Sequence, residues 1–226
     1  MFTTRTMHTP MTDHSPRRPL RRKAAALGTA GALALAGLGL AGTTSTAEAV
    51  PVQATSSQAT PQYIAINQFA TGLPTQAVDC GPAAAVSAML AAGHTPQSWD
   101  PANPGAAVSV VRNSIGTSGA TVEPEVTAAI AAQGAPVRDD TDFTGALDQV
   151  KVGKTAIMNG NMMSLPYSYN YPNPDVQHWI TVTNYNPADG TYLALDSNDG
   201  GQRRVTQAWL DGFQASAPNQ WQVVVG

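Results

Sequence analysis

The chain has 226 residues, of which 12% are charged, and the charge is divided unevenly along it. The first 49 residues carry six basic and two acidic side chains, whereas the remaining 177 carry six basic and 13 acidic ones, a net charge of −7. This acidic part is a poor candidate for nucleic-acid binding, because phosphate contacts need clustered lysines and arginines. The single cysteine excludes a disulfide framework within the chain and any multi-cysteine zinc or iron–sulfur cluster.

The N-terminal segment has the pattern of an export signal. A basic run at 17–23 (RRPLRRK) precedes an uncharged Ala/Leu/Gly stretch, and Ala47-x-Ala49 offers the small residues that signal peptidase recognises. We predict a signal peptide over residues 1–49 and a secreted, unanchored product. The SPRRPL sequence resembles a twin-arginine signal, with Sec export as the alternative. A membrane anchor is the other interpretation, but five glycines and a threonine dilute the apolar run.

The remainder is predicted to be a flexible linker followed by one domain. Residues 50–62 are rich in Ala, Ser, Thr, Gln and Pro and lack apolar periodicity, which is typical of a linker. The domain covers residues 63–226 and opens with a predicted strand at Tyr63–Ile66. Helical spacing of apolar residues and closing glycines then predict four helices, at about 80–92, 108–115, 124–133 and 143–150.

Beyond residue 150 the apolar period changes from 3.6 to 2, which predicts β-strands. The predicted strands are Thr155–Met158, Trp179–Tyr185, Thr191–Asp196 and Trp221–Val225, with a loop at 159–175 and a short helix at 208–213. Helices first and antiparallel strands afterwards predict an α+β domain.

The single cysteine, Cys80, stands at a predicted helix N-terminus. Asp79 before it is a good capping residue, and Pro82 favours the first helical turn. Unpaired amides and the helix dipole favour a thiolate at this position. Most single cysteines are small buried hydrophobes, so it is the location of Cys80 that makes it a candidate nucleophile.

A nucleophilic thiol needs a base, and residues 50–226 contain two histidines. His94 follows a predicted helix end, which is typical of a structural imidazole. His178 begins the strand that enters a predicted turn, and Asp196 ends the strand that leaves it. A hairpin centred on Pro187 places these two directly opposite each other, with Cβ atoms about 4.5–5.5 Å apart. Asp196 would then hold one ring nitrogen and leave the other for Cys80, unless a one-residue slip separates them.

Three segments resemble a known family. Residues 79–85 (DCGPAAA) resemble the nucleophile segment of the C39-like peptidases, which belong to the papain-like cysteine hydrolases. Residues 178–185 (HWITVTNY) and 193–196 (LALD) resemble the family's histidine strand and the strand with its acidic residue. The resemblance covers roughly Tyr63 to Phe213. It implies a papain-like α+β fold, with the nucleophile helix and a helical half packed on an antiparallel sheet.

The resemblance also implies the roles of the site residues. Cys80 would be the nucleophile, His178 the base and then the acid, and Asp196 the group that orients the imidazole. Family members carry a glutamine, commonly six residues before the cysteine, that binds the oxyanion, but Pro74 stands at that place here. Two glutamines remain as candidates, and we favour Gln68 over Gln76.

We therefore expect a secreted cysteine peptidase or amide hydrolase that cleaves peptide or protein substrates through a thioester. It is expected to be a monomer, without a cofactor or stable membrane association. The alternatives are a non-catalytic papain-like binding or inhibitor module, which would be expected to have lost a site residue, and a thiol acyltransferase. Residues 196–201 (DSNDGG) resemble the start of a calcium loop but lack the ligands at the fifth and twelfth positions, so no metal is predicted.

Overall fold

The computed structural model describes residues 59–167 and 175–226. The predicted signal peptide, linker residues 50–58 and loop residues 168–174 lie outside these ranges. The helices are α1 (Cys80–Ala91), α2 (Pro104–Ile115), α3 (Glu123–Ala132), α4 (Phe143–Lys151) and α5 (Gln207–Ala215). The strands are β1 (Val137–Arg138), β2 (Thr155–Asn161), β3 (Gln177–Asn186), β4 (Thr191–Asp196), β5 (Gly201–Thr206) and β6 (Gln222–Val225). Short 3₁₀ helices cover Gln68–Ala70, Gln76–Val78 and Met162–Ser164.

The six strands form one antiparallel sheet in the order β1-β6-β2-β3-β4-β5. Alternate side chains of the sheet enter two separate apolar cores. Trp179 and Ile157 pack with α1, α2 and α3, whereas Ile180 and Met158 pack with α4 and α5 on the other face. The predicted α+β class is confirmed, with helices covering both faces of the sheet.

Helix α1 is the central helix of the first core. Every residue from Gly81 to Ala91 is buried, as expected for a helix that is apolar on all sides. Its small alanines allow close approach to β3, and the Thr181 hydroxyl donates to the carbonyl of Ala84 at 2.8 Å. This contact holds the start of α1 beside the strand that carries His178.

The register of the β3–β4 hairpin is the main departure from the sequence prediction. Asp196 lies opposite Ile180, so the predicted direct pairing of Asp196 with His178 is wrong. The turn lies further along the chain than a hairpin centred on Pro187 requires. The resulting difference is two residues, an even number, so His178 and Asp196 still project from the same face of the sheet.

A β-bulge explains why the observed partner of Asp196 differs from the predicted one by an even number of residues. The register at the turn, if continued along the hairpin, would place His178 and Asp196 on opposite faces of the sheet. Between Thr183 and Asn186, two residues of β3 lie opposite a single residue of β4, which shifts the register by one. Asn184 within the bulge has a φ of +44°, in the left-handed region that asparagine tolerates better than most residues.

Other elements also differ from the prediction. Residues 63–66 do not form a strand, because their neighbourhood is bonded to α1: the amide of Gln62 donates to the carbonyl of Leu90, and that of Ile66 donates to the hydroxyl of Ser87. Strands β1 and β5 were not predicted, since the two residues of β1 are too few to show a period and β5 carries two arginines.

Among the described residues, no helix is long and apolar enough to cross a membrane.

The bulge predicts a specific pattern of stability at position 184. Asn184→Val should lower the free energy of unfolding by about 1–2 kcal/mol, because a β-branched residue is strained in the left-handed region. Asn184→Gly is the matched control, since it also removes the side-chain contact with Arg204 but accepts the backbone conformation. Denaturant unfolding of both variants measures the difference, and equal stabilities would show that the left-handed conformation is not required.

Candidate active site

Three elements bring the predicted site residues together. Cys80 is the first residue of α1, His178 is the second residue of β3, and Asp196 is the last residue of β4. Nε2 of His178 lies 2.7 Å from Oδ1 of Asp196, and a further hydrogen bond joins His178 to the Cys80 side chain. Because Nε2 faces the carboxylate, Nδ1 is the ring nitrogen left for the sulfur. His178 and Asp196 are buried, whereas Cys80 remains partly exposed.

The surroundings of His178 favour its charged form. Burial, the largest single influence, lowers the pKa of His178, but the hydrogen bonds and charges of Asp196 and Cys80 raise it to about 10. The imidazole is therefore protonated at neutral pH. A protonated ring that is 3% exposed is stable only with the carboxylate beside it.

The Cys80 thiol is shifted in the complementary direction. Burial, again the largest single influence, raises its pKa, but the hydrogen bond and positive charge of His178 outweigh this effect. The backbone amides of Trp179 and Gly81 also donate to the sulfur, so the pKa of Cys80 lies below its ordinary value of 9.0. The two shifts together favour a thiolate–imidazolium pair.

The Asp196 carboxylate is held in place from a second direction. Its Oδ1 also accepts a hydrogen bond from the backbone amide of Asn198 at 2.9 Å, and the amide of Gly200 donates to its carbonyl at 3.0 Å. Residues 197–200 thus form a turn after β4, and this turn fixes the acceptor of His178. Within residues 59–167 and 175–226, no group of three or more His, Cys, Asp and Glu side chains is placed to hold a metal ion.

Gly160 is a site neighbour that the sequence analysis missed. It lies opposite His178 on β2, and a Cβ atom there would be 2.3 Å from the carbonyl oxygen of Phe213 and 2.5 Å from its ring. The missing side chain therefore lets α5 pack directly beside the position of the imidazole. The sequence prediction ended this strand at Met158 and placed Gly160 in the following loop, so the association of a strand glycine with a close backbone approach gave no signal here.

Gln68, the favoured oxyanion donor, is buried beside the cysteine segment, in a 3₁₀ helix. Its backbone amide donates to the carbonyl of Ser197 at 2.8 Å, and its Nε2 donates to the carbonyl of Gln76 at 2.9 Å. The Ser197 hydroxyl lies 3.4 Å from both Oε1 of Gln68 and the carbonyl oxygen of Cys80. Gln76 itself is only half-buried and uses its carbonyl to hold the Gln68 amide.

The first turn of α1 is packed tightly against the loop before α3. A Cβ atom at Gly81 would lie 2.0 Å from Oγ1 of Thr121, so only glycine fits there without a shift of the neighbour. The indole of Trp179 donates to the Thr121 carbonyl at 3.3 Å, and its ring stacks on that of Trp221. Trp179, which follows His178, and Gly81, which follows Cys80, therefore both contact Thr121.

Asp79 does not cap α1 with its side chain, contrary to the sequence prediction. Its carbonyl accepts the first helical hydrogen bond, from the amide of Ala83 at 2.9 Å. The buried carboxylate accepts hydrogen bonds from Nε of Arg112 at 2.7 Å and from the hydroxyl of Thr75 at 2.8 Å. A buried carboxylate needs a charged partner, and the guanidinium provides one where a helix amide would not.

His94 lies apart from this site. Its Nε2 is 2.9 Å from the carbonyl oxygen of Gln133, beyond the end of α3. It therefore links the ends of two helices, as predicted for a structural histidine.

No protein-family model matches the chain, and no curated protein matches it. Several solved structures are similar to it, among them two peptidases. One, described as a C39-like peptidase from Bacillus anthracis, is 11% identical with a TM-score of 0.36, and the alignment covers 47% of this chain and 60% of that one. The other is the peptidase domain of Streptococcus ComA, a bifunctional ABC transporter of a quorum-sensing pathway; it is 15% identical with a TM-score of 0.46, over 72% of this chain and 96% of that one. The chain thus spans less than two thirds of the B. anthracis protein.

Proposed function

We propose that the chain is a C39-like cysteine peptidase or related amide hydrolase that cleaves peptide substrates. The observation that carries this proposal is the hydrogen-bonded series from Asp196 through His178 to Cys80. Nucleophilic catalysis by a thiol needs a base within hydrogen-bond reach and a third group that orients the base. The thiol, the base and the orienting group all lie on regular secondary structure, with His178 and Asp196 buried and Cys80 partly exposed.

In the acylation step, the Cys80 thiolate attacks the carbonyl carbon of the scissile amide and forms a C–S bond. The protonated His178 then donates its proton to the leaving amine as the C–N bond breaks, which leaves a thioester and a neutral imidazole. Asp196 keeps the ring oriented and stabilises its charged form before the transfer.

In the deacylation step, His178 removes a proton from water, and the oxygen of that water attacks the thioester carbonyl. The C–S bond breaks, a carboxylic acid is released, and Cys80 returns as a thiolate beside the protonated imidazole. The same pair of side chains is therefore restored for another cycle. An amine that attacks the thioester in place of water would give acyl transfer.

The developing oxyanion needs donors that are in place before the reaction. The backbone amide of Cys80, at the start of α1, is one candidate. The Gln68 amide is the other: one of its two protons bonds to the Gln76 carbonyl, and the second is proposed to bind the oxyanion. Its burial and its contacts around Ser197 favour Gln68 over Gln76 for this role.

The site of action is proposed to be outside the cell. The support is the basic run at 17–23, the apolar stretch that follows it and the small residues before position 50. N-terminal sequencing of the product released from an expressing cell should give Val50 as the first residue. Retention of the intact N-terminus in the cell would contradict the proposal.

The direct test of activity is a peptide-library digest. Wild-type protein should cleave a subset of peptides, and Cys80→Ala should cleave none, because the thioester cannot form. Products that contain an added amine would instead indicate acyl transfer. If neither protein changes any peptide, the alternative of a binding module is favoured.

The thiolate–imidazolium pair predicts the pH dependence of the reaction. The midpoint of Cys80 alkylation by iodoacetamide should lie below pH 9.0, because the pKa of the thiol is lowered. Peptide hydrolysis should rise over the same range and fall again near pH 10, where His178 loses the proton that the leaving amine needs. An alkylation profile centred at or above pH 9.0 would contradict the pair.

The two histidines provide a matched comparison in the same assay. His178→Ala should slow alkylation at pH 7 by about tenfold or more, since each unit by which the thiol pKa rises above pH 7 removes about nine-tenths of the remaining thiolate. His94→Ala should leave the rate unchanged. The reverse order would refute the choice of base.

The oxyanion donor is tested by comparing the two glutamines. Gln68→Ala should lower kcat by about 10²–10³-fold, the usual effect of losing one such donor. Gln76→Ala should have a small effect, because it keeps the carbonyl that holds the Gln68 amide. A larger loss in Gln76→Ala would assign the role to Gln76.

A further inference from the structure

The guanidinium of Arg112 has an acceptor within reach of each of its five N–H bonds. Nε and Nη2 lie 2.7 and 2.6 Å from Oδ1 of Asp79. Nη2 also donates to the carbonyl of Val78 at 2.6 Å, and Nη1 to the carbonyls of Gly119 and Thr117 at 2.9 and 3.3 Å. Only 7% of the side chain is exposed, so these contacts form away from solvent.

The groups that accept hydrogen bonds from Arg112 lie in two separate segments of the chain. Both segments determine the position of the Cys80 sulfur. Asp79 leads directly into Cys80, and its carbonyl begins the hydrogen-bond ladder of α1. Gly119 lies two residues before Thr121, which packs against Gly81 with no room for a side chain. The guanidinium at the end of α2 thus joins the chain before the cysteine to the loop that packs against the residue after it.

The same contact also controls charge beside the thiol. Asp79 is fully buried and adjacent to Cys80 in the chain, and an uncompensated carboxylate there would disfavour a neighbouring thiolate. The guanidinium cancels this charge. The thiol itself is hydrogen-bonded to His178 of β3, which forms with Asp196 of β4 a second pair of opposite charges when the ring is protonated.

We propose that Arg112 is a positioning residue for Cys80, which holds the start of α1 in place and neutralises Asp79 so that the thiolate can form. This inference rests on the proposed function, since it concerns the activation of the same nucleophile. The guanidinium of Arg112 bonds to Val78 and Asp79, the two residues that lead directly into Cys80. The effect of Arg112 and Asp79 therefore passes through Cys80.

The test is the pH profile of Cys80 alkylation in three variants. Arg112→Met leaves the Asp79 carboxylate unpaired and should move the profile to higher pH by about one pH unit. Asp79→Asn leaves the guanidinium charge uncompensated and should move it to lower pH. The double variant removes both charges and should return the profile to within about half a pH unit of wild type. A purely structural role would not give shifts of opposite sign.

The exposed pair of Arg138 and Asp140 provides the matched controls. Arg138→Met and Asp140→Asn should leave the profile unchanged. If Arg112→Met does not fold, the direction of the Asp79→Asn shift decides the question alone. Shifts of the same sign, or no shift in Asp79→Asn, would overturn the inference about Arg112. The proposed function would still stand if the wild-type alkylation profile depends on His178. An unreactive Cys80 in the wild type would overturn both.

Discussion

The candidate site depends on one geometric constraint: His178 and Asp196 must project from the same face of the β3–β4 pair. Side chains alternate along a strand, so a shift of one residue would separate them. The turn alone would produce that separation, and the bulge between Thr183 and Asn186 corrects it by one residue. A local backbone irregularity thus determines whether the imidazole meets a carboxylate.

The pairing of charges follows from burial. An isolated charge in a protein interior costs several kcal/mol even after relaxation, so each buried ionic group here has a partner. The His178 imidazole is placed between Asp196 and the sulfur, and Asp79 is matched by Arg112. The low dielectric that makes each unpaired charge costly also strengthens the interactions that favour the thiolate.

Close packing holds the nucleophile Cys80 and the base His178 in fixed positions relative to each other. Helix α1 is buried on all sides and is bonded to β3 through Thr181, so the nucleophile and the base belong to neighbouring, well-packed elements. Two glycines bring further elements close, since Gly81 admits Thr121 and Gly160 admits Phe213. Interiors packed at this density respond to the addition of a single methyl group.

The sequence by itself determined the α+β class, the helices around Cys80 and the strands that carry His178 and Asp196, because these depend on local periodicity and capping residues. The sequence also identified the candidate side chains, because a nucleophilic thiol needs a base and the chain has few histidines to provide one. Only the tertiary structure decided the hairpin register, the surroundings of Gln68 and the ion pair of Arg112 with Asp79. The surroundings of Gln68 and the ion pair join residues that are distant in the chain, and the hairpin register depends on a bulge. Long-range contacts and bulges produce no periodic pattern in the sequence. The capping prediction for Asp79 failed for the same reason, because its buried carboxylate is bound by a guanidinium 33 residues away in the chain.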